Sequence, residues 1–346
     1  MIIQLYLKIL VSVIVLSAVL TYGLIRLAHF KQWYDKDYHD IKGRPKVPAL
    51  GGVALFISFW VGIYLLLPTL GWTRWMSAVL IGSIIIVVTG LFDDAVELSP
   101  LQKSFGILLA ANVIYFMGNI TFSSQLLPHL AKDWFHVIAY MATMCWIYFV
   151  TNAVNLLDGL DGLASSVSLV SLVTLVGISY AFSRSLQVAM FMMMLVLIAA
   201  ILGFLPYNWY RAKIYLGDTG ALFIGFMYAV LTVSGLKNAT FFALLVPIML
   251  YVVPIFDTGY AMVRRLLTGK PVAQADNEHV HHRLLRLGIP ETQVVWVMIG
   301  VTLLFSVLAV LTHIYPEWRA ILLSVIIGLV AGLIIGMWQL AKWLNK

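Results

Sequence analysis

Two carboxylates, Asp158 and Asp161, stand three residues apart in the stretch 155–164, NLLDGLDGLA, with Gly159 and Gly162 beside them and long apolar runs on either side. Acids at the edge of an apolar run are expensive in a membrane protein and mark a site. Asp158 and Asp161 have helix-like i, i+3 spacing and are expected to share one face. Asn155, three residues earlier, offers donor and acceptor groups to a base or ribose. Three further stretches carry similar chemistry. Asp93 and Asp94 are adjacent carboxylates that repel unless a cation or donor intervenes, and a hard cation such as magnesium takes such oxygens while keeping waters and substrate phosphates. Lys103 follows nine residues after Asp94, placed either to meet a phosphate or to snorkel to headgroups.

The stretch 206–220, PYNWYRAKIYLGDTG, holds Asn208, a candidate substrate contact, and Asp218 followed by Thr219. That pair could cap the helix that begins there, and an acid already in place serves a cation that also binds phosphate. Asp218 and Asp94 are the candidate metal ligands; Asp93, Asp94 and Asp218 are the candidate catalytic acids. A later stretch carries Arg264 and Arg265, then Asp276, then His279, His281 and His282. A histidine cluster can indicate a transition metal, but no cysteine is nearby, and arginines with histidines suit a grip on a diphosphate.

These stretches must be positioned by helices. The 346 residues are 62% hydrophobic and 11% charged, against about a quarter charged in soluble domains. Apolar segments of about twenty residues recur along the whole length. The expected fold is all-α and polytopic, one domain over 1–346, with about eleven spans near 3–27, 49–69, 75–92, 103–119, 134–153, 163–182, 186–205, 219–236, 239–256, 293–313 and 319–341. A large loop at 257–292 belongs to it. The first apolar run is longer than a signal-peptide core of roughly 7–15 residues and is expected to be a retained span. Cys145 is the only cysteine, which excludes an intrachain disulfide. The net charge of +7 has no compact basic domain behind it, so nucleic acid is not an expected partner.

Lysine and arginine are concentrated in alternate loops, including Lys42, Arg44, Lys46, Lys103, Arg211, Lys213, Arg264 and Arg265, while the opposite loops hold only Arg74, Lys132, Arg184, Lys237 and Arg319. The richer side is expected to be cytoplasmic, with the N-terminus outside and the C-terminus inside. Asp93, Asp94, Asp158, Asp161 and Asp218 all fall on that side, a bias the orientation rule does not require.

From Gly51-Gly52 to His282, and most specifically in NLLDGLDGLA and LGDTG, the chain resembles the polyprenyl-phosphate N-acetylhexosamine-1-phosphate transferases, closest to the bacterial undecaprenyl-phosphate N-acetylglucosamine-1-phosphate transferases. The resemblance implies that Asp93 and Asp94 are the paired acids, one of them deprotonating the lipid phosphate, that Lys103 is the lysine after the pair, that Asn155, Asp158 and Asp161 form the nucleotide-sugar site, and that Asp218 is the magnesium ligand. His279, His281 and His282 look like the histidine motif, in the form HVHHRLL rather than the three consecutive histidines of the phospho-MurNAc-pentapeptide branch. The segment DIKGRPK at 40–46 departs from the arginine–lysine pair and histidine often found before the glycines in the N-acetylglucosamine branch.

The implied reaction joins a UDP-N-acetylhexosamine to undecaprenyl phosphate with Mg2+, for which Mn2+ could substitute, and releases UMP at the cytoplasmic face of a bacterial plasma membrane. The product would start glycopolymers such as teichoic acid, O-antigen or lipopolysaccharide. The resemblance also makes a homodimer plausible. A secondary transporter shares the many spans, but transport sites usually lie near the midplane, where this sequence is almost free of charge. A CDP-alcohol phosphotransferase would require an alanine–arginine pair after its first Asp-Gly, which does not follow Asp158-Gly159.

Overall fold

The computed structural model describes residues 2–34, 46–122, 132–182, 188–235 and 280–344, with single positions 248, 251 and 265. The helices among them are α1 (Ile2–Lys31), α2 (Gly51–Leu70), α3 (Arg74–Val96), α4 (Pro100–Phe116), α5 (Lys132–Leu157), α6 (Leu163–Phe182), α7 (Val188–Asn208), α8 (Gly217–Gly235), α9 (Val280–Arg286), α10 (Glu291–Ile314) and α11 (Arg319–Leu344). The described residues contain no strand. Eight of these helices are long and apolar enough to cross a membrane; α4 and the apolar part of α8, Gly217–Val233, are shorter. The protein is therefore an all-helical polytopic membrane protein. Each expected span falls on one of these helices except 239–256, which lies outside the described residues apart from 248 and 251, as does most of the loop 257–292.

α8 is the axis of the bundle. Every residue from Thr219 to Val233 is buried, and α2, α3 and α5 pack around it. A helix that is apolar on all sides needs protein on all sides to hold it in a unique position. Small residues allow the close approach. A Cβ on Gly52 would lie 2.2 Å from the Gly220 nitrogen, one on Gly90 2.4 Å from Thr219 Cα, and one on Gly225 2.9 Å from Thr151 Cα. The glycines of the Gly51-Gly52 pair are thus packing residues at the mouth of α8, and the backbone around them pairs with the segment before α8. Tyr215 donates to the Pro48 carbonyl at 2.8 Å, and Gly51 and Gly52 donate to the Tyr215 and Leu216 carbonyls, both at 3.0 Å.

The α3–α4 turn is fixed as tightly. Glu97 takes a left-handed conformation at φ 55° and its N–H closes on the Asp93 carbonyl, ending α3. Ser99 and Gln102 then form a capping box, with Pro100 in the first helical turn, so α4 starts at once. The short reversal sets Asp93, in the last turn of α3, against Lys103, in the first turn of α4.

Candidate active site

The ends of four helices meet around one carboxylate cluster. Asp93 comes from the C-terminus of α3, Lys103 from the N-terminus of α4, Asn155 from the C-terminus of α5 and Asp218 from the N-terminus of α8. Lys103 Nζ pairs with Asp93 Oδ2, lies 3.4 Å from Asp218 Oδ1 and donates to Asn155 Oδ1 at 3.3 Å. Asn155 Nδ2 in turn donates to Asp218 Oδ1. Asp93 Oδ1 accepts the Leu98 N–H at 2.9 Å. The Asp93 side chain is only 5% exposed, Lys103 is 20% exposed and Asp218 is 33% exposed, so the cluster opens on the Asp218 side. Lys103 therefore does not snorkel to headgroups; it is held by two acids and an amide. Both ends of the Asn155 amide are engaged inside the cluster.

The adjacent acids separate. Neighbouring residues on a helix point about 100° apart, and Asp94 turns away from Asp93 to cap α8. Its Oδ1 accepts the Asp218 N–H at 2.7 Å, and its Oδ2 accepts the Thr219 N–H at 3.1 Å and the Thr219 hydroxyl at 2.6 Å. The expected cap of α8 by Asp218 and Thr219 is corrected here. The acceptor comes from α3, and Thr219 acts as a donor. The reason is geometric: the first-turn N–H groups of α8 point away from its own residues and towards the end of α3, where Gly90 and Gly217 leave room.

The i, i+3 helical face expected of Asp158 and Asp161 is also corrected. α5 ends at Leu157, α6 begins at Leu163, and 158–162 form a turn in which Gly162 adopts φ +71°. In a turn, a three-residue spacing no longer places two side chains on one face. Asp161 Oδ2 accepts the Ala212 N–H at 3.0 Å. Asn208 is 2% exposed, accepts from Ser165 Oγ at 2.8 Å and donates to the Ile214 carbonyl at 3.1 Å. Asp161 and Asn208 thus brace the loop 209–216 that leads into α8. Trp209, next to Asn208, packs edge-on to Trp296 with centroids 5.6 Å apart, a tertiary contact in addition to any membrane-belt role.

Arg264, His279 and the side chains of His281 and His282 lie outside the described residues; Arg265 is half-buried. Ser165 and the Leu98 N–H complete the site and its bracing, and neither stands out in the sequence.

The donor set can be tested against a metal. Among the described residues no three His, Cys, Asp or Glu side chains gather as a closed metal site. Two carboxylates, Asp93 and Asp218, do converge on a single ammonium. Hard oxygen donors in that number suit magnesium, which usually takes one or two carboxylates and completes its shell with water and substrate phosphate. The Asp94 oxygens are already committed to three donors, so Asp218 with Asp93 is the better-matched pair.

Residues 76–236, which contain every member of this cluster, match Glycosyl transferase family 4. The chain is 32% identical to a probable undecaprenyl-phosphate N-acetylglucosaminyl 1-phosphate transferase of Bacillus subtilis (strain 168), over 92% of this chain and 87% of that protein. It is 30% identical to the decaprenyl-phosphate N-acetylglucosaminephosphotransferase of Mycobacterium tuberculosis (strain ATCC 25618 / H37Rv), over 72% and 68% of the two chains. To the undecaprenyl-phosphate alpha-N-acetylglucosaminyl 1-phosphate transferase of Escherichia coli O157:H7 it is 26% identical, over 97% and 93%. With an acid–lysine–amide cluster inside the matched segment and relatives aligned over most of its length, the chain belongs to glycosyl transferase family 4, as an enzyme of the polyprenyl-phosphate N-acetylhexosamine-1-phosphate transferases.

Proposed function

We propose that the protein transfers N-acetylglucosamine-1-phosphate from UDP-N-acetylglucosamine to undecaprenyl phosphate in a magnesium-dependent reaction that releases UMP, at the cytoplasmic face of a bacterial plasma membrane. The observation that carries this reading is the convergence of Asp93, Lys103, Asn155 and Asp218 from four helix ends. A rim of helix ends is where a lipid-bound phosphate and a soluble nucleotide can meet. Asp218, 33% exposed, keeps access to water there, which lessens the cost of charge in a bilayer, while the buried Asp93 is paired with Lys103.

In this reading an oxygen of the lipid phosphate attacks the β-phosphorus of the UDP-sugar. The new P–O bond forms as the bond from the β-phosphorus to the oxygen bridging the two phosphates breaks, and UMP leaves with that oxygen and its electron pair. Asp218, the more exposed acid, together with Asp93 would hold Mg2+, which supplies charge neutralisation of the transferred phosphate when bound. Asp93 Oδ2, released as Lys103 turns to the phosphates, is the favoured acceptor for any proton on the lipid phosphate, because Oδ1 is already fixed by Leu98. Lys103 supplies a positive charge to the phosphates. Asn155 orients the Asp218 carboxylate, and Asp94 holds the backbone on which that carboxylate is mounted.

The test is a panel of UDP-sugars incubated with undecaprenyl phosphate and the purified full chain. UMP release with UDP-N-acetylglucosamine is the expected result. Release of UDP would mean that a glycosyl group, not a sugar phosphate, is transferred, and would overturn the reading.

A further inference from the structure

We infer that Lys103 is a resident counter-ion, one that keeps free divalent cation out of the cluster and yields only to a cation arriving together with nucleotide phosphates. The inference rests on the magnesium reading above. Its basis is the place the ammonium occupies. Lys103 Nζ pairs with Asp93 Oδ2 and stands 3.4 Å from Asp218 Oδ1, so it lies between the two carboxylates best matched to a hard cation. Asn155 Oδ1 and Nδ2 lock both partners, accepting from Lys103 and donating to Asp218. The capping box at 99–102 fixes the start of the helix that carries the lysine.

The charge count then decides the order of events. Asp93, Asp218 and Lys103 by themselves sum to −1, with the Asp94 carboxylate, spent on the first turn of α8, standing just outside that count. Two carboxylates held close together, one of them buried, repel each other without a counter-ion, so the lysine stabilises the site at rest. A divalent cation entering alone would have to stand beside the ammonium between the same two carboxylates, and that contact is repulsive. A cation that enters with a diphosphate brings negative charge for Lys103 to turn towards, and the repulsion becomes an attraction. Metal and lysine therefore compete without nucleotide and cooperate with it. By linkage, nucleotide must raise metal affinity by the same factor by which metal raises nucleotide affinity.

The experiment measures Mn2+ binding to the detergent-solubilised full chain by the electron paramagnetic resonance signal of free Mn2+, with and without UDP-N-acetylglucosamine and with no lipid acceptor present. Asp218→Asn supplies the background from other sites. Wild type is expected to bind Mn2+ weakly alone and at least about tenfold more tightly with nucleotide, the size of effect that a close charge has on a carboxylate equilibrium. Lys103→Met is expected to bind Mn2+ alone at least about tenfold more tightly than wild type and to lose most of the nucleotide gain. Lys103→Arg, which keeps the charge, is expected to behave as wild type. If Lys103→Met does not fold, Lys103→Gln is read in the same way. Equal or weaker Mn2+ binding by the neutral variant, with wild type still binding Mn2+ in the presence of nucleotide, overturns the counter-ion role alone. An absence of Asp218-dependent Mn2+ binding in every state overturns the magnesium reading with it.

Discussion

Replacing Asp94 with alanine separates the two members of the acid pair. The Asp94 carboxylate accepts from the Asp218 N–H, the Thr219 N–H and the Thr219 hydroxyl at 2.7, 3.1 and 2.6 Å. Alanine removes both acceptor oxygens, and so all three bonds, at the start of α8, which is buried from Thr219 to Val233. Losing an N-cap costs roughly 0.5–2 kcal/mol, and a hydrogen bond to a charged group contributes roughly 1.5–3 kcal/mol. The three bonds share one carboxylate and do not add, so about 3 kcal/mol is expected for the site. In a large domain each 1 kcal/mol moves the midpoint by about 2 °C, which gives a fall of about 6 °C. Asp94→Asn keeps one acceptor oxygen and should fall by about half as much. Asp93 has a different account. It accepts one N–H, from Leu98, and pairs with Lys103, and its removal leaves Lys103 beside Asp218 and Asn155. Asp93→Ala should therefore lower the midpoint by less than Asp94→Ala does, because Lys103 keeps Asp218 as a partner, while abolishing transfer. Thermal unfolding of the full chain in detergent, followed by tryptophan fluorescence, gives the midpoints; sugar-phosphate transfer on the same preparations gives activity. An Asp94→Ala midpoint equal to wild type, or a larger fall for Asp93→Ala, would refute the assignment of Asp94 as the cap.

Three further outcomes follow from the same geometry. Asp218→Asn should abolish transfer while the protein inserts and elutes as wild type; an active Asp218→Asn enzyme with magnesium present would remove that carboxylate from the chemistry. EDTA should stop transfer and added Mg2+ or Mn2+ should restore it, whereas full activity in chelator would count against a metal at Asp218. Gly90→Ala deletes no polar group but sets a Cβ 2.4 Å from Thr219 Cα and 2.7 Å from its nitrogen. Displacing α8 to make room should cost roughly 1–3 kcal/mol, and transfer should fall even at temperatures where the variant is folded.

Much of the fold was legible because the bilayer leaves few choices. A run of about twenty apolar residues in lipid must satisfy its own backbone, so hydropathy alone placed the long helices among the described residues, though not the short α9, which falls in the expected loop 257–292. The site was legible as a set of residues but not as an arrangement. Asp93, Lys103, Asn155 and Asp218 share no short-range pattern; they lie as far apart as 125 positions and meet only because α3, α4, α5 and α8 present their ends together. The split within Asp93-Asp94 was hidden for the same reason, since the direction of each side chain depends on where α8 begins relative to α3. Asp158 and Asp161 misled because i, i+3 spacing carries information only inside a helix. Gly159 and Gly162 were the counter-signal, and the positive φ at Gly162 marks the turn that replaces the helical face.

The construction around α8 explains how a polar site keeps its shape next to lipid. Interdigitated apolar side chains resist sliding of a helix along its axis, and directional polar contacts at one end add to that resistance. Here the axial position is set at the mouth, by Asp94 gripping the first turn, by the backbone pairing of 48–52 with 215–216, and by the close seat of Gly52 on Gly220. Asp218 lies inside that grip and Asp93 is one residue from the side chain that supplies it. The distance between the two carboxylates is therefore governed by the same bonds that stop α8 from sliding. A substitution that lets α8 move along its axis, even one far from any charge, should act on the reaction by opening the gap between Asp93 and Asp218.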